Sequence, residues 1–223
     1  FIGIDHKKYR EWMALDPKSK PVLERFPTER LKRVSKPTTV ITEDVARFDE
    51  REHGFNRANR GDFGQRVQQE WRRGYKYPLS HTLQRQIFHL REFAYREPAQ
   101  TDVTLFEDQT HAARHLKDIA YFFGADLVGI GPLPSYAVYQ YDMHGAEIDL
   151  THKYAIVMLI DTEYKTSLAS NGYDWISDSQ SYRGYVKGAV IAQTLADYIL
   201  NLGFSAQAHH QFNYSIAVPP VIL

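Results

Sequence analysis

The sequence contains no cysteine. That absence excludes disulfides, thiol nucleophiles, thiolate zinc sites and cysteine-ligated iron–sulfur clusters from this chain. It has no excess of either charge: 27 Lys and Arg balance 27 Asp and Glu, so no global field points to nucleic acid or an anionic membrane surface. It also lacks a long apolar run. YAIVMLI at 154–160 is the longest strongly apolar stretch, far short of the ~20 residues that cross a bilayer. FIGIDHKKYREW, where the chain opens, is too polar for a signal peptide. Nucleotide-binding loops are missing as well. GADLVGIGPLP at 124–134 has neither GxGxxG nor GxxxxGK[ST], and its glycines follow a helix pattern instead of bridging strand to helix. It reads as close backbone packing. HGFNRANRGDFG at 53–64 mixes Arg, Asn, Gly and Phe as RNA binders do, but one such patch in a neutral chain does not make a nucleic-acid surface.

What is present argues for a globular domain. A chain of 223 residues buries a real core, as one domain with a decorated end. Its charge is unevenly spread: residues 1–100 carry 21 basic and 14 acidic groups, and residues 101–223 carry 6 and 13. The two halves are expected to dock, or the first is a mildly basic arm that also meets a partner. The chain opens on Phe1, and it closes on VPPVIL, where a proline pair suited to a helix start is cut short. A fragment is expected.

Organisation changes near residue 100. The first part is irregular, with PKSKPVLERFP at 17–27 and HGFNRANRGDFG both reading as loops. GDFGQRVQQEWRRG suggests a short helix. SHTLQRQIFHLREFAYR suggests a better one, with Leu83, Ile87, Leu90 and Ala94 at helical spacing, Ser80 as cap and Pro98 closing it. From residue 107 the pattern becomes regular. Ala112, Leu116, Ile119, Ala120 and Phe123 form an apolar stripe, Gly124 suits the helix end, and DLVGIG reads as a strand. The order returns with Val186, Ala189, Val190, Ala196, Ile199 and Leu202, then Gly203, then FSAQAHH as a strand candidate. KYAIVMLI between them reads as a central strand covered on both faces. Together these predict a layered α/β domain.

Four polar or aromatic residues crowd the expected entrance of the last helix: Tyr182, Arg183, Tyr185 and Lys187. A phenol becomes a credible general acid when a nearby cation lowers its pKa from about 10, and Arg183 and Lys187 are the local cations. The alternative is that both rings simply cover the core. His111 and His115 are four apart, a zinc-compatible spacing, yet HAARH lacks the glutamate of HExxH. His209 and His210 would point to opposite faces of a strand, so no metal site is expected. Asp174 and Asp178 are read as caps before acid–base groups.

The chain from 107 to 223 resembles the corrinoid and iron–sulfur reductive dehalogenases. The resemblance is carried by HLKDIAYFFGADLVGIG at 115–131 and YDWISDSQSYRGYVKGAVIAQTLADYILNLGFSAQAHHQFNYSIAVPPVIL at 173–223, with Tyr185 lying 19 residues before Phe204. The polar first hundred residues are similar in character to the cavity-covering arm of the catabolic, oxygen-tolerant branch.

This resemblance implies a nitroreductase-like α/β core, here partial, over 101–223, with an irregular arm over 1–100. It implies base-off cobalamin, an organohalide substrate, aromatic by expectation, and a cytoplasmic enzyme. Tyr185 falls on the family's proton-donating tyrosine. The cation that sharpens it in the aromatic-halide enzymes lies beyond residue 223, so neither Arg183 nor Lys187 inherits that role. His210, Gln211 and Asn213 are implied cavity or corrin contacts, because HHQFNY approaches the active cavity and amide side chains match the amide fringe of a corrin. The family's two [4Fe-4S] clusters have no ligands in this cysteine-free chain. They are expected in a missing C-terminal portion, fed by a reductase or ferredoxin. Two other readings stand beside this one: another corrinoid-dependent reductase or cobalamin-processing relative, and a non-catalytic ligand- or partner-binding fragment.

Overall fold

In the computed structural model of the chain, the described residues are 2–4, 31–33, 43–71, 77–91, 98, 106 and 108–222. The proline-rich stretch at 17–27 lies outside them, as do Ala94 and the segment that joins the preceding helix to Pro98. Strands β1 (Ile2–Ile4) and β2 (Leu31–Arg33) pair antiparallel.

Residues 53–64 are not a loop. Helix α1 (Gly54–Arg60) forms there, ended by Gly61 in the left-handed conformation at φ 93°, which glycine adopts without a Cβ clash. Its arginines fold back onto acidic neighbours: Arg60 Nη2 meets Glu52 at 3.2 Å and Asp62 at 2.9 Å. These local pairs give a helix to a stretch that composition alone marks as irregular. Helix α2 (Gln65–Trp71) follows, as the sequence predicts.

Helix α3 (Pro78–Arg91) lies along the long helix α6 (Trp175–Asn201), and the two run in the same direction. Their contacts ascend together: Ser80 Oγ to Ser179 Oγ at 2.9 Å, Gln84 Nε2 to the Tyr182 hydroxyl at 3.1 Å, and Gln193 Nε2 to the Leu90 carbonyl at 2.9 Å. Ile87 is fully buried among them. Ser80 is therefore an interhelical contact and not a cap, because the helix starts before it, at Pro78.

The body of the fold is α4 (Gln109–Phe122), β3 (Leu127–Pro132), β4 (Tyr154–Leu159), the short helix α5 (Tyr164–Leu168) and α6, with α7 (Pro219–Ile222) beyond. Asp108 caps α4 by accepting from the His111 amide at 2.7 Å. Gly124, at φ 95°, lets the chain turn from α4 into β3. β3 pairs antiparallel with β4, from Leu127 opposite Leu159 to Pro132 opposite Tyr154. One face of this pair carries Val128, Ile156 and Met158 into a core with Leu116, Ile119, Ala120, Leu195 and Ile199. Burying such side chains contributes about 1.5–3 kcal/mol each, so this cluster holds α4 and α6 against the sheet.

Three expectations are corrected here. β4 is not a central strand: among the described residues its sheet has two strands, and none of its residues is fully buried. Its core side also borders a cavity, which Ile156 and Met158 line together with Leu116, Leu195 and Ile199. FSAQAHH forms no strand, since no neighbouring strand offers it a ladder. The glycines of GADLVGIGPLP are not at a close approach either, because a Cβ on Gly129 or Gly131 would meet nothing within 4 Å. A close approach is found instead at Gly184 on α6, with Gly188 in ordinary contact one turn on. A Cβ on Gly184 would come within 3.0 Å of Thr162 Cγ2, and one on Gly188 within 3.6 Å of Ile160, so these glycines let α6 press on the end of β4.

Helix α6 begins seven residues before Tyr182. Asp174 caps it, its Oδ1 accepting from the amides of Ile176 at 2.9 Å and Ser177 at 3.2 Å. These amide bonds, led by that from Asn171, hold the Asp174 carboxyl below its usual range. Tyr182 and Tyr185 thus stand within the helix, not at its entrance.

Candidate functional site

A cavity of about 920 Å³ opens between the sheet, α4, α6 and the chain that follows α6. Its floor is apolar: Ile130 and Gly131 from β3, Ala155 and Val157 from β4, Leu116 from α4, and Gly188 and Ala192 from α6. Small residues on both sides of the gap leave it wide. Polar groups reach it from several elements, among them Gln109 on α4, Ser181 and Tyr185 on α6, His152 just before β4, and His210, Gln211 and Tyr214 after α6. Pockets of this kind, apolar with a few convergent polar groups, suit organic ligands and cofactors.

Tyr185 sits at the mouth, 39% exposed. Its ring lies 6.4 Å from that of Tyr182. The local cations are committed elsewhere. Arg183 pairs with Glu163 at 3.0 Å and donates to the Thr162 carbonyl at 3.3 Å, while Lys187 pairs with Asp126 at 3.2 Å. Gln180 helps fix the same turn, donating to the carbonyls of Thr162 and Glu163 and to Ser167 Oγ.

The chain after α6 is a shaped loop. Asn213 accepts from the His210 amide at 2.8 Å through Oδ1 and donates to the Ala208 carbonyl at 3.0 Å through Nδ2. Both ends of its amide are spent inside the loop, and Asn213 is absent from the cavity lining. Phe212 takes a positive φ of 77°, an uncommon conformation for a bulky residue. Its ring stacks on Phe88 of α3 at 4.3 Å and 7°, which anchors the strained residue.

Of the four residues the sequence singles out, the structure brings Tyr185, His210 and Gln211 to one cavity and leaves Asn213 behind its wall. The His210 ring is engaged as well: its Nδ1 lies 3.0 Å from the Gln211 carbonyl and its Nε2 3.5 Å from Gln193 Nε2. The carbonyl only accepts, so Nδ1 carries the proton. Gln211 differs, because its Oε1 is buried with no hydrogen-bond partner. His152 Nδ1 shares that condition, while its Nε2 meets Ser205 Oγ at 3.0 Å. Leaving such an atom unpaired costs roughly 1–3 kcal/mol.

Sequence reasoning did not single out His152 or Tyr214 for this wall. Tyr214 stands at the end of the quoted HHQFNY run and was within reach; His152 comes from before β4, and only the fold brings it here. Burial pushes the Tyr214 hydroxyl up to about 12, with Tyr185 and Tyr139 adding to the shift. Burial also lowers His209 to about 4, so its ring is neutral and its Nδ1 accepts from the Ser215 amide at 3.3 Å.

Among the described residues no group of three or more His, Asp or Glu side chains is placed to hold a metal ion. The donor set suits a large organic ligand instead: an apolar floor, phenols, and an amide oxygen without a donor. A corrin, a broad apolar disc with amide fringes, fits that set on the strength of the orphaned Gln211 oxygen.

Known structures bear on this geometry. The catabolic reductive dehalogenase NpRdhA, solved in complex with 3-bromo-4-hydroxybenzoic acid, matches 89% of this chain with a TM-score of 0.79 and 35% sequence identity. The chain is a structural relative of the reductive dehalogenases. A further reductive dehalogenase structure, described as suggesting a mechanism for B12-dependent dehalogenation, matches 95% of the chain at 33% identity and the same TM-score of 0.79. The chain spans only 29% and 31% of the lengths of these two dehalogenases. No protein-family model and no curated protein matches it. The small helix-and-strand body described above is thus part of the reductive dehalogenase fold.

Proposed function

We propose that this chain forms the proton-donor wall of a cobalamin-dependent reductive dehalogenase acting on an aromatic organohalide. The observation that carries the reading is the placement of Tyr185 at the mouth of the apolar cavity, in a chain one-third identical to reductive dehalogenases. Bound cobalamin supplies the electron chemistry that breaks the carbon–halogen bond.

The chain's own residues do the rest. The floor of Ile130, Ala155 and Val157 excludes water and receives an apolar ring. Tyr185 gives its hydroxyl proton to the carbon that loses halide. Holding one phenol at the mouth limits the proton supply to one position. Tyr214, whose hydroxyl is pushed up to about 12, stays protonated throughout the neutral range and serves as a donor of hydrogen bonds. Gln211 faces the cofactor's amide fringe; His210 and Asn213 support it by shaping the loop.

The reading extends to the whole protein. The core would be nitroreductase-like and would take cobalamin in its base-off form; the arm expected over 1–100 lies partly outside the described residues. Two [4Fe-4S] clusters sit in the remaining length, supplied by a reductase or ferredoxin in the cytoplasm. A cation from that remaining length sharpens Tyr185, which agrees with Arg183 and Lys187 being paired to carboxylates. Among the described residues no helix is long and apolar enough to cross a membrane.

The test is halide release from a bromo- or chlorophenol by the full-length protein, reduced and loaded with cobalamin. Tyr185→Phe should abolish turnover while leaving the corrin spectrum intact. Full turnover in that variant would reject the assigned donor, and reduction of a non-halogenated substrate with no halide released would favour another corrinoid reductase.

A further inference from the structure

Two of the buried side-chain atoms that lack a hydrogen-bond partner among the described residues, His152 Nδ1 and Gln211 Oε1, belong to residues of the same cavity wall. Ser205, from the loop that carries Gln211, holds the far side of the His152 ring at 3.0 Å. The loop is held in place at a strained residue, Phe212. Native structures pair nearly all such atoms, and exceptions beside a cavity call for a functional account.

The chemistry of the pair is specific. Gln211 Oε1 only accepts. The Ser205 hydroxyl can serve the His152 ring in either tautomer; in the one where Oγ donates to Nε2, Nδ1 carries the proton and donates. One acceptor and one donor on a single wall match a primary carboxamide, whose NH2 donates and whose oxygen accepts. Both atoms are covered in the unliganded chain, so each side chain must rotate to reach a ligand, and the missing partner is what makes that rotation favourable.

We propose that Gln211 and His152 form a two-point clamp for a primary carboxamide on the fringe of the bound corrin. The clamp rests on the cobalamin reading above. It assigns to His152 a binding role and makes the amide, not the ring alone, a determinant of corrin choice.

The experiment compares two probes on the full-length protein, freed of its corrin, by equilibrium binding: dicyanocobinamide, which keeps the carboxamides, and heptamethyl dicyanocobyrinate, which carries esters in their place. The protein should bind the amide form at least about tenfold more tightly, the worth of one well-made hydrogen bond. Gln211→Leu should lose about tenfold on dicyanocobinamide and nothing on the ester, which has no N–H to donate and so also shows that this variant folds; His152→Phe should lose about tenfold on both, because the ester carbonyl still accepts from Nδ1. In ¹⁵N spectra the His152 ring should settle into the Nδ1-protonated tautomer when dicyanocobinamide binds. Equal affinity for both probes, equal losses on both in Gln211→Leu, or no loss on either in His152→Phe overturns the clamp and leaves the cobalamin reading standing. Binding of neither probe overturns that reading and the clamp together.

Discussion

Arg47 and Gln211 stand in opposite situations. The Arg47 guanidinium donates to three carbonyls of the chain that runs past it, Val138 at 3.3 Å, Tyr139 at 2.6 Å and Ile148 at 2.5 Å. It binds the segment at 43–50 to the loop at 138–148, and backbone bonds from Glu50 to Tyr141 and from Gln140 to Phe48 complete the seam. Gln211, by contrast, holds its oxygen buried and unpaired. The seam spends its polar groups on the fold, while the cavity wall keeps some unspent. That contrast separates residues that hold the structure from residues that meet a ligand, and variants in the two regions should fail in different ways.

The largest expected effect lies on the cavity side. Tyr185→Phe should lower halide release by the full-length protein at least ~100-fold, the usual scale of a lost general acid. Its urea midpoint should not move. A comparable loss of stability would mean that Tyr185 belongs with the structural residues.

Next comes pH. His209, with its pKa lowered from 6.5 to about 4 by burial, binds a proton less readily folded than unfolded. Between those values the unfolded chain carries the extra proton, so stability is full above pH 6.5 and falls as pH drops toward 4. The full loss is about 3 kcal/mol, read from urea midpoints across the range. His209→Phe should flatten this slope, whereas an unchanged slope would show that other groups set it.

Arg47→Met should cost about 2 kcal/mol by stranding carbonyls at the seam, with dicyanocobinamide binding retained. A change in ligand affinity without a change in stability would erase the contrast between the regions. The smallest effect belongs to Arg60→Met. Its partners, the Glu52 and Asp62 carboxylates and the Arg51 carbonyl, are reached by solvent, and the midpoint of thermal unfolding should move by less than ~2 °C.

The body of the fold was legible because its signals are local. The stripe from Ala112 to Phe123, Gly124, DLVGIG and KYAIVMLI all mark elements that form where periodicity puts them. The start of α6 was not, because Asp174 caps a first turn whose residues read as polar loop. Nor was the cavity beside β4, since an apolar run does not tell a covered strand from one at a cavity wall. Tyr185, His210 and Gln211 came to one cavity from a single resemblance and a short stretch of sequence. Asn213 did not, because whether an amide faces a ligand or its own loop depends on backbone that the sequence does not display. His152 needed the fold, since nothing near it in sequence marks its neighbours.

Phe88 is 43% exposed and would pass, in a survey of the surface, for a residue free to vary. Its stack on Phe212 makes it otherwise. The left-handed turn beneath Gln211 is propped by a ring on a different helix, more than a hundred positions earlier in the chain. Drift at Phe88 would therefore be recorded as altered ligand preference before it registered as lost folding, and the two rings are expected to change together over evolutionary time.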